Sequence, residues 1–295
     1  MSGLKEIRNR ISSITSTQKI TSAMKMVSAA KFHKAHESLL RYKTYSNKVL
    51  DILHQVAPTI NENDPSLRKW FAEPSALNSV ALVVLTSNSS MCAGFNQNLA
   101  KTIIENAPTE FGENWKANTK FYCLGKKGVD FFKKRGFTLL SENTEMVIKP
   151  EYNSSSEFMQ TLTQEYLAQK YDAVYVAFNE FKNPAFQVPT IKRILPFSTP
   201  KSTENKYVAP NLIFEPTKDY IIEVLIPLAV KTFFYEMLLE NAVGEHGARM
   251  TSMHQATENA TELNKALKLK YNKARQAAIT NEILEIVSGA EALKG

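Results

Sequence analysis

The sequence predicts an α/β protein in which two long terminal helices pair as an antiparallel coiled coil around a central, Rossmann-like α/β domain. The first observation is the distribution of helix breakers: all twelve prolines lie within residues 58–227, and residues 4–57 contain neither glycine nor proline. The second is a three-and-four spacing of apolar residues at both ends, and the third is an alternation of strand-like and helix-like segments between them. We therefore predict three domains: a helix over 1–57, an α/β domain over 58–220 and a helix over 221–295.

The N-terminal segment has the repeat of a coiled-coil seam. Apolar residues recur at steps of three and four from Leu4 to Ile14. The same register then meets polar residues from Gln18 to Ser28 and becomes apolar again at Phe32. A seam that turns polar midway either faces something larger than a partner helix or rotates away from it.

The C-terminal segment shows the same stepping and is rich in helix-forming residues. Its predicted seam positions are Met253, Ala256, Ala260, Leu263, Leu267, Lys270, Ala274 and Ala277. We predict that residues 4–56 and 228–288 form two helices packed antiparallel. The alternative is that each belongs to a separate helical bundle.

The middle of the chain predicts a small, mainly parallel sheet. Pro189 cannot occupy a central strand, so the last strand is expected at an edge or in a hairpin. The predicted strands cover 80–86, 120–125, 172–181 and 186–196, and the predicted helices cover 95–105, 129–136 and 156–170.

Charge is concentrated at the N-terminus. Residues 1–50 hold ten Lys or Arg against two acidic residues, whereas the whole chain has a net charge of +7. Such a segment suits nucleic acid, an anionic membrane or an acidic protein partner. No apolar run of about 20 residues is present, so no membrane span is predicted. The polar N-terminus has no signal region, so we expect the protein to remain in the compartment where it is made.

No catalytic, cofactor-binding or metal-binding residues are predicted. The loop 86–98 contains one glycine where a phosphate cradle needs several, and the GxxxxGK[ST], GxSxG and HExxH motifs are missing. Cys92 and Cys123 lie in apolar contexts and are expected to be buried, reduced thiols. All histidines fall on the predicted long helices: His33, His36, His54, His246 and His254.

Both ends of the chain resemble a known family. LKEIRNRISSITSTQKITSAMKMVSAAK (4–31) and YNKARQAAITNEILEIVSGAEA (271–292) are similar to the N- and C-terminal signatures of F-type ATP synthase gamma subunits. EHGARMTSMHQATENA (245–260) resembles a third block of the family, and VVLTSNSSMCAGFNQNL (83–99) resembles a fourth one more loosely. The C-terminal signature positions are occupied by Ile279, Thr280, Glu282, Glu285, Gly289 and Ala290.

The resemblance implies a central rotor stalk that couples ion translocation to ATP synthesis or hydrolysis. The implied partners are three alpha and three beta subunits, the epsilon subunit and the ring of c subunits, with no cofactor and no nucleic acid. The implied location is peripheral, at the cytoplasmic face of a bacterial inner membrane. The residues expected at the interface between rotor and stator are Met24, Lys25, Arg249, Arg275, Gln276, Thr280, Glu282 and Glu285.

The sequence departs from the family pattern in three respects. Ser22 stands where a basic residue is usual, the loop 86–98 is less charged and less rich in glycine, and Gly244 and Gly247 replace alanine or serine. The competing interpretations are a basic coiled-coil protein that binds nucleic acid and an unrelated coiled-coil adaptor. Residues 1–50 contain only three aromatic residues and none is spaced as a platform for stacking bases, which disfavours the first.

Overall fold

The computed structural model describes residues 2–56, 68–71, 73–74, 76–197, 214–215 and 217–292. The described elements are seven helices and five strands. The helices are α1 (Ser2–Val56), α2 (Arg68–Phe71), α3 (Phe95–Phe111), α4 (Trp115–Asn118), α5 (Lys126–Lys133), α6 (Tyr152–Leu167) and α7 (Lys218–Ala292). The strands are β1 (Val80–Leu85), β2 (Thr119–Leu124), β3 (Leu139–Asn143), β4 (Ala173–Asn183) and β5 (Phe186–Leu195).

The chain divides into two compact units. One comprises Met1–Ala29 and Arg249–Gly295 and is called here the helix-pair unit. The other comprises Ala30–Ala248 and is called the sheet unit. Residues of α1 and α7 contribute to both, so both long terminal helices of the predicted fold class are confirmed.

In the helix-pair unit, α1 and α7 run antiparallel. A hydrogen bond of 2.9 Å from Arg8 to the Tyr271 hydroxyl and one of 2.7 Å from Gln18 to the Thr261 hydroxyl show that position numbers rise on one helix as they fall on the other. On α1 the predicted seam is correct: every position of the three-and-four repeat from Leu4 to Ser28 is at least partly buried. The polar stretch therefore faces the partner helix and does not rotate away.

On α7 the predicted seam is wrong at three of its eight positions. Leu263, Lys270 and Ala277 are exposed, whereas the other five are at least partly buried: Met253, Ala256, Ala260, Leu267 and Ala274. The inward-facing alternate positions lie one residue later than expected, at Thr257, Asn264, Tyr271 and Ala278. The assignment followed hydrophobicity, but polar residues of α1 select polar counterparts on α7.

The sheet unit contains one five-stranded sheet in the order β3-β2-β1-β4-β5. The first four strands are parallel, and β5 returns antiparallel to β4. Pro189 lies on this edge strand opposite Asn179, so the predicted edge or hairpin position is confirmed. The unit is therefore a Rossmann-like sheet with one antiparallel edge strand.

Alternate residues of the strands point to two cores, as the period of two requires. One core lies between the sheet and helices α3 and α5, where Leu99 and Phe132 are fully buried. The other lies between the opposite face, α6, and the residues of α1 and α7 that belong to this unit. There Leu53 of α1 and Phe234 of α7 are buried beside strand residues such as Val83.

Several element boundaries differ from the prediction. Helix α7 begins at Lys218, ten residues before the expected start, and contains Pro227. Proline removes one backbone hydrogen bond from a helix. Here Ile222, Ile226 and Val230 are fully buried around it, so packing outweighs that loss. Strand β3 and the short helices α2 and α4 were not predicted, because each is short and its pattern is weakly periodic.

Candidate protein-interaction surface

All eight candidate interface residues lie in the helix-pair unit. Met24 and Lys25 are on α1, and the other six are on α7. The structure thus brings together two blocks that are more than 200 positions apart in the chain. The reason is the antiparallel register of the two helices, which sets residues of the first 29 positions beside residues after Arg249.

The C-terminal part of α7 is exposed on all sides. Every residue of 279–291 is exposed, whereas Ala278 is the last partly buried seam position. Because Tyr271 faces Arg8 and α1 begins at Ser2, α7 has no counterpart on α1 beyond this point. The stretch 279–291, called here the exposed end, includes three candidates, and two more lie just before it: Arg275, Gln276, Thr280, Glu282 and Glu285.

The remaining three candidates are less accessible. Met24 and Lys25 are half-buried, and Arg249 is buried with 8% of its surface exposed. A partner can reach the first two only along one side of α1. Arg249 is therefore placed to support the helix pair more than to face solvent.

Large apolar side chains on the exposed end were missed by the sequence reasoning. Isolated exposed apolar residues are ordinary, but a contiguous group marks an interaction surface. A signal was available, because the apolar residues of the segment ITNEILEIV (279–287) recur at helical spacing and fall on one face, beyond the last predicted seam position. The group is Ile279 at 47% exposure, Ile283 at 55%, Leu284 at 57%, Ile286 at 71% and Val287 at 50%.

The helix-pair unit also carries most of the net charge. It contains twelve Lys or Arg against six acidic residues, a net charge of +6 out of the +7 of the chain. Five of these cations occur within 265–275 without an intervening acid, and all five are exposed. The prediction named Arg275 but missed Lys265, Lys268, Lys270 and Lys273. A surface of this kind attracts an acidic partner.

The start of α5 does not offer a free phosphate cradle. Backbone N–H groups of residues 126–128 would be the donors to an anion at this helix terminus. They already donate to the Asn88 side chain at 2.8 Å, the Ser87 carbonyl at 3.0 Å and the Thr86 hydroxyl at 2.9 Å. The loop after β1 thus occupies the position that a phosphate would take.

The two cysteines are confirmed as buried thiols that are not joined in a disulfide. Burial, with a smaller contribution from the negative charge of Glu142, raises the pKa of Cys123 to about 12, so this thiol stays protonated. Within the described part of the chain, no group of three or more His, Cys, Asp or Glu residues is arranged to hold a metal ion. None of the described helices has the length and apolarity required to cross a membrane.

Comparison with known proteins places the chain in a family. The family model for ATP synthase matches residues 3–293. The ATP synthase gamma chain of Christiangramia forsetii is 41% identical over 295 residues, covering 100% of both chains. That of Cytophaga hutchinsonii is 42% identical with 99% of both chains covered, and that of Geobacter metallireducens is 37% identical with 100% of both covered.

Solved structures agree with this fold. A chain of the Euglena gracilis mitochondrial ATP synthase (OSCP, F1 and c-ring, rotational state 3) aligns with a TM-score of 0.68 at 17% identity, covering 99% of this chain and 95% of that one. A chain of the Tetrahymena thermophila enzyme (central stalk and c-ring) aligns with a TM-score of 0.56 at 22% identity, covering 80% and 99%. The family match and the full-length relatives show that the chain belongs to the ATP synthase gamma chain family, and its function is that of the rotor stalk subunit of this complex.

Proposed function

We propose that this gamma chain turns inside a ring of three alpha and three beta subunits and transmits rotation through the helix-pair unit. Its further partners are the epsilon subunit and the ring of c subunits, and it is itself non-catalytic. The observation that carries the proposal is the exposed end of α7, where both charged and large apolar side chains are exposed.

The exposed end suits a bearing surface. Apolar side chains such as Ile283 and Ile286 gain from burial in an apolar collar, at about 25 cal/mol per Å² of area removed from water. Glu282 and Glu285 lie on the same stretch and are exposed. The interaction of their charges with the ring changes with the rotation angle of the gamma chain. We assign rotor–stator contacts to Arg275, Gln276, Thr280, Glu282 and Glu285, with the half-buried Met24 and Lys25 contributing from α1. Arg249, also expected at this interface, is buried, and we assign it a supporting role.

The charge of the helix-pair unit supports an acidic stator surface. Exposed cations such as Lys268 and Lys273 are distributed along α7 without fixed ion pairs among the described residues. Exposed pairs of opposite charge contribute at most about 1 kcal/mol each, so they attract the rotor without locking it at one angle. A rotor needs such weak, exchangeable contacts.

A peripheral location follows from the proposed partners. The relatives reported above are bacterial, and we propose that this chain likewise lies at the cytoplasmic face of the inner membrane, held there by the other subunits. Its attachment then depends on protein contacts rather than on a span of its own. Binding to nucleic acid is disfavoured because few aromatic residues accompany the basic segment of α1.

Removal of residues 285–295 tests the proposal. The described part of this segment is exposed and contributes nothing to either core of the sheet unit. We expect the assembled complex to retain ATP hydrolysis but to pump several-fold fewer ions per ATP. Fluorescence of Trp70 and Trp115, both buried in the sheet unit, is expected to show an unchanged unfolding midpoint.

A matched control separates the exposed end from the rest of α7. The pair Glu282→Gln and Glu285→Gln changes two exposed carboxylates on the exposed end, and the pair Glu258→Gln and Glu262→Gln changes two exposed carboxylates before it. Only the first pair is expected to alter pumping per ATP. The proposal is wrong if truncation unfolds the sheet unit, or if it leaves hydrolysis and pumping both untouched.

A further inference from the structure

The interior of the helix-pair unit is polar over about two turns. Three hydrogen bonds cross from one helix to the other in this stretch. Asn264 donates through Nδ2 to the Thr15 hydroxyl at 2.9 Å, Gln18 donates through Nε2 to the Thr261 hydroxyl at 2.7 Å, and the hydroxyls of Thr21 and Thr257 are 2.9 Å apart. These six residues are called here the polar ladder.

The threonines of the ladder are oriented by their own helices. The Thr15 hydroxyl donates to the Ile11 carbonyl at 2.7 Å, and the Thr261 hydroxyl donates to the Thr257 carbonyl at 2.8 Å. A hydroxyl has one proton and two acceptor lone pairs. Once its proton is used within its helix, the oxygen is left to accept an amide proton from the other helix, so the two cross-helix bonds from Asn264 and Gln18 have a defined direction.

Four of the ladder residues occupy seam positions, whereas Thr15 and Thr261 lie one residue beside the seam and are half-buried. Thr21 is 8% exposed and Asn264 is 7% exposed. On α1, Gln18 and Thr21 continue the same three-and-four repeat that holds Ile7 and Ile11. Apolar side chains at these positions would pack the seam without any need for partners.

The ladder carries a cost that an apolar seam would avoid. Within the described residues, Oδ1 of Asn264 is buried and accepts no hydrogen bond from the protein. A buried polar atom without a partner costs about 1–3 kcal/mol. A buried asparagine at a coiled-coil seam lowers stability but specifies how the helices align.

We propose that the polar ladder fixes the axial register of α1 and α7 within the helix-pair unit. A slip of one heptad moves one helix along the other by about 10 Å. A purely apolar seam re-forms its contacts after such a slip, because the seam pattern repeats every seven residues. The ladder loses its three native cross-helix contacts at once, including the directed bonds from Gln18 and Asn264, and its polar groups must find other partners.

The consequence for function rests on the function proposed above. The register decides how many residues of α7 extend beyond the start of α1, and these residues form the exposed end. A fixed register therefore gives the stator ring a bearing surface of constant length. The ladder residues act as positioning residues, because they need not touch the ring themselves.

Disulfide trapping in the full-length chain measures the register directly. The same antiparallel register places Leu267 opposite Ile11, so Ile11→Cys with Leu267→Cys reports the native alignment. Ile11→Cys with Ala274→Cys reports a slip of one heptad. Because a disulfide requires Cα atoms within about 7 Å, we expect the native pair to cross-link at least about tenfold faster. The natural thiols, Cys92 and Cys123, are buried and should not compete.

Replacing the ladder should remove this preference. In a variant with Gln18→Leu, Thr261→Val and Asn264→Leu, we expect the ratio of native to slipped cross-linking to fall at least about fivefold while helix content by circular dichroism is retained. Asn264→Leu alone should produce a smaller fall. Thr17→Val is the matched control, since Thr17 is exposed and bonds only to the Ser13 carbonyl of its own helix. This control should leave the ratio unchanged.

Two results would overturn the inference. An unchanged cross-linking ratio in the ladder variant would show that other contacts set the register, and loss of helix content would show that the ladder holds the pair together without selecting its alignment. The assembled complex separates this inference from the proposed function. If the ladder variant loses its register preference but pumps normally, the register role stands and the bearing function of the exposed end fails.

Discussion

The helix-pair unit and the sheet unit use one helical repeat to build two different interiors. Along α1 the seam positions Thr21 and Ser28 are buried in the first unit, whereas Leu39 and Leu53 are buried in the second. In the sheet unit these positions join apolar clusters whose stability comes from area removed from water. In the helix-pair unit the same spacing carries directed hydrogen bonds. The comparison shows that periodicity specifies which face is buried, while side-chain chemistry specifies what the buried face does.

The surfaces of the two units differ as well. The helix-pair unit has a net charge of +6 and the sheet unit about +1, although the sheet unit is much longer. The exposed end adds five large apolar side chains to the charged unit. A unit that is partly polar inside and partly apolar outside is suited to contact other proteins, whereas the sheet unit has the inside and outside of an ordinary domain.

The largest expected effect is a loss of folding stability, and it is tested by one large-to-small substitution in each unit. Leu39→Ala removes a side chain that is 2% exposed in the sheet unit and should lower the free energy of unfolding by about 2–5 kcal/mol. Ile11→Ala removes a half-buried side chain in the helix-pair unit. Both variants would be unfolded in urea and followed by tryptophan fluorescence and by circular dichroism.

The two signals report different parts of the molecule. Both tryptophans, Trp70 and Trp115, lie in the sheet unit, whereas circular dichroism reports helices of both units. Leu39→Ala should shift the fluorescence midpoint, and Ile11→Ala should change only the dichroism curve. Equal fluorescence shifts for the two variants would contradict the division into two units.

A smaller effect concerns a buried ion pair in the sheet unit. Glu240 is 7% exposed and lies 2.6 Å from Nζ of Lys43, which is also 4.0 Å from Glu236. Burial raises the pKa of Glu240 above its ordinary value, an effect that the hydrogen bond from Lys43 opposes and the charges of Glu236 and Glu180 reinforce. The folded state therefore binds this proton more tightly than the unfolded state does.

The stability of the folded chain should therefore fall as pH rises through the titration of Glu240. An acid with a raised pKa costs stability as pH rises from its ordinary value of 4.5 through the raised value, and the cost is complete above it. Glu240→Gln should flatten this part of the curve, so that its stability relative to the natural chain increases with pH. Urea unfolding at several pH values measures this difference in stability, with Glu37→Gln, a change at an exposed residue, as the control. A parallel pair of curves for Glu240→Gln and the natural chain would contradict the argument.

Much of the fold was predictable because its signals are local and repeated. The α1 seam, three parallel strands and the edge position of Pro189 all follow from spacing and from the limits that proline imposes. The start of α7 was not predictable in this way. Pro227 is a helix breaker by local criteria, and only burial of its neighbours in a core formed by distant residues overrides that preference.

The errors in the candidate surface have a different cause. Leu263 was assigned to the seam because it is apolar, yet it is 51% exposed while its neighbour Asn264 is buried. The choice depends on Thr15 of the opposite helix, about 250 positions away, which no local pattern contains. Charged and polar candidates were proposed from sequence motifs, but the exposure of the apolar side chains at the exposed end depends on where α1 begins relative to α7.

The smallest expected effect tests whether the exposed end is energetically independent of the sheet unit. Gly289 lies in helical conformation near the end of α7, and a Cβ added there would meet nothing within 4 Å. Alanine stabilises a helix interior by about 0.5–1 kcal/mol relative to glycine, because glycine loses more conformational freedom on folding. Since no other residue packs on this position, Gly289→Ala should slow amide hydrogen exchange only in the neighbouring turns. The fluorescence midpoint of the sheet unit should not change. If protection instead rose in the sheet unit, the exposed end would be energetically coupled to that core, and the contrast between the two units would need revision.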